Sequence, residues 1–191
     1  MKKIVLTSRF FGRVNSTTLP FATLVPLFSF PHLTDLELRL DHPLHLEDAD
    51  LEKMARAWPA LESVLIHSPT FWTGPSHLTL RGLANFINLA PGLRHLALYV
   101  DATTTANYSR SVHAAANDTI TSITLGNSPI RDPVAVAAIF SGILPNLREI
   151  RYGSDEERQA RWHEVEKSLR IFAAVREEER QRCLMVHGLS V

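Results

Sequence analysis

The chain has 191 residues, of which 45% are hydrophobic and 21% charged, a balance ordinary for one folded domain. Lys plus Arg number 20 and Asp plus Glu 20, so the formal net charge is zero, which argues against a nucleic-acid binder and against an acidic disordered tail protein. The one cysteine, Cys183, excludes an intramolecular disulfide framework and a Cys-based zinc finger.

Met1-Lys2-Lys3-Ile4-Val5-Leu6 opens like a signal peptide, but the apolar run stops at Thr7, too short for an h-region. No stretch approaches the ~18 apolar residues of a membrane span. The expected compartment is therefore cytoplasmic or nuclear, and the sequons at Asn15, Asn107 and Asn117 are read as chance.

In chain order, one phrase returns: Pro-x-Leu-x-x-apolar-x-apolar. It begins at Pro31, Pro59, Pro91 and Pro145, with central apolar residues Leu36, Val64, Leu96 and Ile150. A copy without proline, Ile120-Thr121-Ser122-Ile123-Thr124-Leu125, lies between the last two, and a weaker first copy is Met1 to Leu6. The six centres, residues 4, 36, 64, 96, 123 and 150, are separated by 32, 28, 32, 27 and 27. Alternation of apolar residues predicts a short strand with one buried face, and the proline ends whatever helix precedes it.

Between the strands the pattern predicts helices. The first falls within Leu19 to Phe28. The second places Leu51, Met54 and Trp58 on one stripe, with Asp48 or Asp50 as N-cap. The third carries Leu80, Leu83 and Ile87 behind Thr79, and the fourth starts with Asp132 as cap and Pro133 at the first helical position. From Asp101 to Ala116 the sequence reads as loop, with a short helix over Arg110 to Ala116. A strand–turn–helix unit repeated at this spacing cannot bury its apolar face alone, so neighbours stack. The expected fold is α/β, a curved solenoid of about six repeats with parallel strands inside and helices outside, over residues 1–153. A doubly wound sheet also alternates strands and helices, but would not repeat one phrase at every strand and should show a Gly-rich phosphate turn.

Residues 154–182 predict a terminal helix capping the last repeat. Trp162, Val165, Leu169, Phe172 and Val175 form one apolar stripe, and Glu157–Arg161, Glu166–Arg170 and Glu178–Arg182 are pairs four apart in the favourable order. Residues 183–191 are a tail, in which Leu184-Met185-Val186 could add a seventh strand.

No motif of catalysis stands out. His42-Pro43-Leu44-His45 has proline between its histidines and sits in a loop; His163-Glu164-Val165-Glu166-Lys167 lacks the second His of HExxH. GxSxG, P-loop and GxGxxG patterns do not occur. The sequence therefore gives no reason to expect an enzyme, a metal or a cofactor.

The repeated phrase is similar to leucine-rich repeats of the long type. More narrowly, the chain resembles the leucine-rich-repeat region of F-box-like proteins of mushroom-forming fungi. The residues that carry this are Asp48-Ala49-Asp50-Leu51, Ala57-Trp58-Pro59-Ala60-Leu61, Leu78-Thr79-Leu80-Arg81-Gly82-Leu83, Asn127-Ser128-Pro129-Ile130-Arg131-Asp132-Pro133, Val136-Ala137, Leu144-Pro145-Asn146-Leu147, Trp162-His163-Glu164-Val165 and Arg176-Glu177-Glu178-Glu179-Arg180. The resemblance spans roughly residues 17–182. It implies a receptor whose F-box docks on the adaptor of a cullin-type ubiquitin ligase while the repeats hold the protein to be modified. Leu19 to Phe28 superficially resembles an F-box opening, but the strand expected from Leu33 leaves no room for the rest of one, so an F-box would lie outside this chain. The position five after each centre, often Asn in short repeats, is here Arg9, Asp41, Pro69, Asp101, Ser128 and Asp155, so a regular asparagine ladder is absent and the turns should differ.

Residues alternating with the buried strand positions face the opposite side, expected to be concave. From that set the expected partner-binding residues are Glu37, Arg39, Leu65, His67, His95, Tyr99, Thr124 and Arg151, with Leu65 and Tyr99 as the apolar centre. The expected partner is a protein, neither nucleic acid nor membrane. The competing reading is a scaffold or truncated paralogue without a ligase role.

Overall fold

In the computed structural model, which describes residues 2–8, 18–67, 74–105 and 116–186, the repeated phrase is a repeated turn. Pro31, Pro59, Pro91 and Pro145 each take the second position of a four-residue turn. The N–H groups of Leu33, Leu61, Leu93 and Leu147 close these turns onto the carbonyls of Phe30, Trp58, Ala90 and Leu144 at 3.0–3.1 Å. Proline presets the φ this position needs and excludes the helical region for its predecessor. The preceding residues accordingly have φ from −113° to −130° and ψ from 68° to 73°. Each helix thus ends two residues before its proline.

The turns also fasten one unit to the next. Just beyond each closing leucine, two successive N–H groups converge on one carbonyl of the preceding unit. Thr34 and Asp35 donate to Lys2, Glu62 and Ser63 to Thr34, Arg94 and His95 to Glu62, and Arg148 and Glu149 to Thr121, at 2.7–3.3 Å. A carbonyl oxygen has two lone pairs and accepts both.

Strands follow directly: β1 (Lys3–Thr7), β3 (Asp35–Arg39), β5 (Ser63–His67), β6 (His95–Ala97), β7 (Ser122–Gly126) and β8 (Glu149–Tyr152). They form one parallel sheet in which spatial order is chain order. The six predicted centres Ile4, Leu36, Val64, Leu96, Ile123 and Ile150 pair in one continuous row, none more than 5% exposed. At Gly126 the register shifts by one residue and φ is +55°, a conformation that favours glycine. A two-residue pair, β2 (Leu19–Pro20) with β4 (Leu44–His45), and isolated bridges Glu47–His77, Thr79–Asp101 and Ala102–Ile130 run outside the main sheet.

The helices pack on one face of the sheet, and the core between them is continuous. Where an ordinary helix was expected over Leu19 to Phe28, the chain forms a 3-10 helix, Phe21–Ser29, with Pro26 inside it. Proline has no N–H to give an α-helical bond, and the tighter winding accommodates that loss. Helix α1 (Asp48–Ala57) is capped by Glu47, not by Asp48 or Asp50; Asp50 instead returns a carboxylate to the Glu47 N–H at 3.1 Å, completing a capping box. Asp48 reaches the next unit, accepting from Thr79 N–H at 2.8 Å and Thr79 Oγ1 at 2.6 Å. Thr79 caps α2 (Leu80–Leu89), and a Cβ on Gly82 would collide with the Asp48 carboxylate, so the close approach requires glycine. Helix α3 (Pro133–Ile143) has Asp132 as cap and Pro133 in its first turn, as the sequence predicts.

The copy without proline is built differently. Asn117, 5% exposed, turns its side chain inward. Its Oδ1 accepts from the N–H groups of Thr119 and Ile120 at 3.0 Å, and its Nδ2 donates to Leu93 O at 2.8 Å. An asparagine side chain here does what the proline turn does elsewhere. Its burial also agrees with reading the sequon at Asn117 as chance; Asn15, Asn107 and the helix expected over Arg110 to Ala116 fall on, or mostly on, residues outside those described.

Helix α4 (Glu156–Val186) covers the last strand. Trp162, Val165 and Leu169 are buried, and Trp162 Nε1 donates to Ser128 O at 3.0 Å. Glu166 accepts from the Ile150 N–H at 2.8 Å, on the edge strand, in place of the expected pairing with Arg170. The stripe ends one turn early: Val175 is 48% exposed, while Arg176 donates to Ser141 O and Pro145 O. Leu184-Met185-Val186 does not form a strand but continues the helix, because nothing in Glu177 to Arg182 interrupts it. Among the described residues no helix is long and apolar enough to cross a membrane.

Asn117→Ala strands the buried Ile120 N–H and releases that of Thr119, while Leu93 O keeps the Thr119 hydroxyl, and should cost at least about 1 kcal/mol. Pro91→Ala, which keeps its turn's hydrogen bond, should cost under about 1 kcal/mol. Urea denaturation with an unchanged slope checks both.

Candidate functional site

The residues that alternate with the buried row form the second face of the sheet. Val5, Glu37, Leu65, Ala97, Thr124 and Arg151 pair in register across all six strands. At the strand spacing this row is about 24 Å long. Thr7, Arg39 and His67 lie in a second row beside it, and Lys3, Asp35, Ser63 and His95 in a third.

Charge on this face is self-paired at two places. Arg39 Nε donates to Glu37 Oε1 at 2.5 Å, and Arg151 Nε to Glu149 Oε1 at 2.9 Å. The Arg151 guanidinium, by hydrogen bond and charge, holds the Glu149 carboxyl below the usual range, and Glu149 in turn raises Arg151. Both groups are fully exposed, so this pair fixes side-chain direction more than it stabilises the fold. Between the two pairs lies a weakly polar strip: half-exposed Leu65, Ala97, and half-exposed Thr124. Ala97 is buried, short between the longer Leu65 and Thr124 in register. His95 is exposed on the third row.

Tyr99 lies beyond the rows, and His67 closes the second of them. β6 ends at Ala97, and Tyr99 lies two residues beyond it, so Leu65 and Tyr99 do not share one centre. The Tyr99 hydroxyl donates to Gly74 O at 2.8 Å, and Ser76 Oγ donates to Tyr99 O at 2.8 Å, tying the segment before α2 to the end of β6. Burial holds the Tyr99 hydroxyl above its ordinary value, with Asp101 adding and Arg158 opposing, so it remains a neutral donor.

With His67 and Ser76, Tyr99 lines a partly open cavity of about 170 Å³ at the carboxyl ends of β5 and β6. Leu46, Ile66, Leu78 and Leu98, all buried, supply its apolar wall. His45 and His77 stand on its rim with ring centroids 4.6 Å apart and planes at 56°. The His67 Nε2 is buried without a hydrogen-bond partner among the described residues. Burial pushes the His67 pKa below 6.5, the Arg39 charge pushes the same way, and Glu37 opposes them.

Sequence reasoning missed the cavity. His45 and His77 come together through a two-residue ladder and an isolated bridge, too short to leave any periodicity. His45 belongs to the His-x-x-His set aside as a ligand pair; its ring packs against that of His77, 32 residues on.

Comparison with known proteins finds no matching family model, and neither a curated protein nor a solved structure is significantly similar to the chain.

His67 has a lowered pKa in the fold, so the unfolded chain binds its proton more readily. Its contribution to stability is whole above pH 6.5 and is lost as pH falls from there through the lower folded value. His67→Gln should flatten the loss of stability below pH 6.5, measured as the urea midpoint against pH.

Proposed function

We propose that the chain is a non-enzymatic protein-recognition module, a leucine-rich-repeat solenoid that binds a protein partner across the second face of its sheet. The observation that carries this is the unbroken register of Val5, Glu37, Leu65, Ala97, Thr124 and Arg151, a row with ion pairs on its second and last strands and an uncharged stretch between them. A parallel sheet ordinarily has both faces covered. Here one face carries half-exposed and exposed side chains at most positions, including Val5 at 48%. The solenoid reading draws on the recurrence of one turn and one two-donor bond at every strand but the fifth and first.

The partner that fits presents an apolar residue to Leu65 and polar groups to Glu37, Arg39, Thr124 and Arg151. Anchors of binding sit in the centre of an interface, with charges at the rim setting register and rate. An apolar anchor on Leu65 with charges to either side follows that plan.

We further propose that the module is the substrate-holding part of an F-box-like ubiquitin-ligase receptor. What supports this is the set of sequence phrases from Asp48 to Arg180. Co-purification of the gene's full product with the cullin adaptor supports it; failure to co-purify leaves the scaffold reading.

Leu65→Asp should remove partner capture in a pull-down and shift the thermal midpoint by less than about 3 °C. Glu164→Lys, on the exposed side of α4, should leave capture intact. Capture that survives Leu65→Asp but fails with Glu164→Lys would place the interface on the helix and sink the docking reading. Tyr99→Asp is a poorer probe, since it also cuts the bond to Gly74.

A further inference from the structure

The cavity at the ends of β5 and β6 opens beside the first sheet-face row and takes His67 from the second. We infer that it is an anchor pocket for one aromatic side chain bearing a polar hydrogen, the phenol of tyrosine or the indole of tryptophan, presented by the bound protein. This rests on the docking reading of the sheet face and names what that partner must carry.

Three observations lead there. The first is size. A dry apolar cavity of about 150 Å³ accepts a benzene ring, and this one, at about 170 Å³, has room for one ring and not for two. The second is the wall. Ile66, Leu98 and Leu78 give an apolar floor, while His45 and His77 give two ring faces at the mouth, a setting in which an aromatic ring gains edge or offset stacking beyond its area. An aliphatic side chain would fill the floor but leave the rings uncovered.

The third is polarity. His67 Nε2 lacks a partner among the described residues, whereas the Tyr99 hydroxyl gives its proton to Gly74 O and takes a hydrogen bond from Arg158. A neutral imidazole offers one bare nitrogen, and His67 is biased towards its neutral form. With its proton on Nδ1, His67 awaits a donor at Nε2. A phenol O–H or indole N–H supplies one; phenylalanine does not. A carboxylate or phosphate is a poor occupant, because the Glu47 carboxylate, 3.6 Å from His45 Nε2 on the rim, would repel it.

Continuity with the row gives the pocket its reach. Arg39 and His67 are register partners, so a chain lying along the sheet face passes the mouth. A ring set in the pocket would pin that chain, while Leu65 and the ion pairs fix its direction.

The test uses side-chain analogues and the intact protein. p-Cresol, toluene and N-acetyltyrosinamide are titrated while the methyl signals of Ile66 and Leu98 and the ring signals of His45 and His77 are followed by NMR. The expected result is saturable shifts at these residues with p-cresol, weaker ones with toluene, and binding of N-acetyltyrosinamide at least as tight as p-cresol. His77→Trp, on the exposed rim, should weaken p-cresol binding at least tenfold by filling the mouth, and His45→Ala should weaken it without filling anything. Leu65→Asp should leave p-cresol binding unchanged. No shift at Ile66 and Leu98 with p-cresol overturns the pocket, even if Leu65→Asp still abolishes partner capture. Binding of p-cresol without N-acetyltyrosinamide overturns the peptide source in favour of a free phenol. If Leu65→Asp leaves partner capture intact while p-cresol binds, the sheet-face reading fails and the pocket stands as a ring site alone.

Discussion

At Pro31, Pro59, Pro91 and Pro145 a turn ends one element and aims two successive N–H groups at a single carbonyl of the unit before it. Everything else depends on this repeated constraint. It fixes where each strand begins, hence its register, and register decides which face each side chain meets, since the period of a strand is two. A slip of one residue would expose Leu36, Val64 and Leu96 and bury Glu37 and Arg39. The four turns close within 0.1 Å of one another, so each unit hands the next the same starting point.

The same constraint explains how much of the fold can be read from the chain. Proline and leucine three apart are visible as letters, and the strands they introduce alternate in the sequence as they do in space. The six centres are legible for that reason, as are Thr79 and Asp132, whose short polar side chains announce a cap. Less legible are features in which a side chain substitutes for the rule. Asn117 replaces a proline turn by accepting two N–H groups, and Glu47 caps α1 although shorter acids lie just after it. Pro26 tightens a helix into the 3-10 form, which shares the apolar pattern expected of an α-helix.

Burial at the last strand of the sheet follows from the same accounting for backbone groups. An edge strand leaves N–H groups open, and such an edge invites pairing with another chain. On β8 the Ile150 N–H is taken by Glu166, and Arg158, Arg161 and Arg176 reach carbonyls of the preceding unit from α4. The apolar stripe of α4 is therefore only part of why it docks. Arginine forks finish what Trp162, Val165 and Leu169 begin, and from Glu177 onward the helix is almost wholly exposed.

The candidate site divides along the same line. The sheet-face row is period-two and can be read from the sequence; its side-chain pairing is not, because Glu37–Arg39 and Glu149–Arg151 are each two apart, a spacing that means nothing on a helix and puts both partners on one face of a strand. The cavity is not legible at all. It is assembled from strand ends and from a segment joined only by isolated bridges, bringing His45, His67, His77 and Tyr99 from four stretches of chain. His45 and His77 are 32 residues apart, as are His67 and Tyr99, so two pairs of corresponding positions in successive strands and connections meet at one rim.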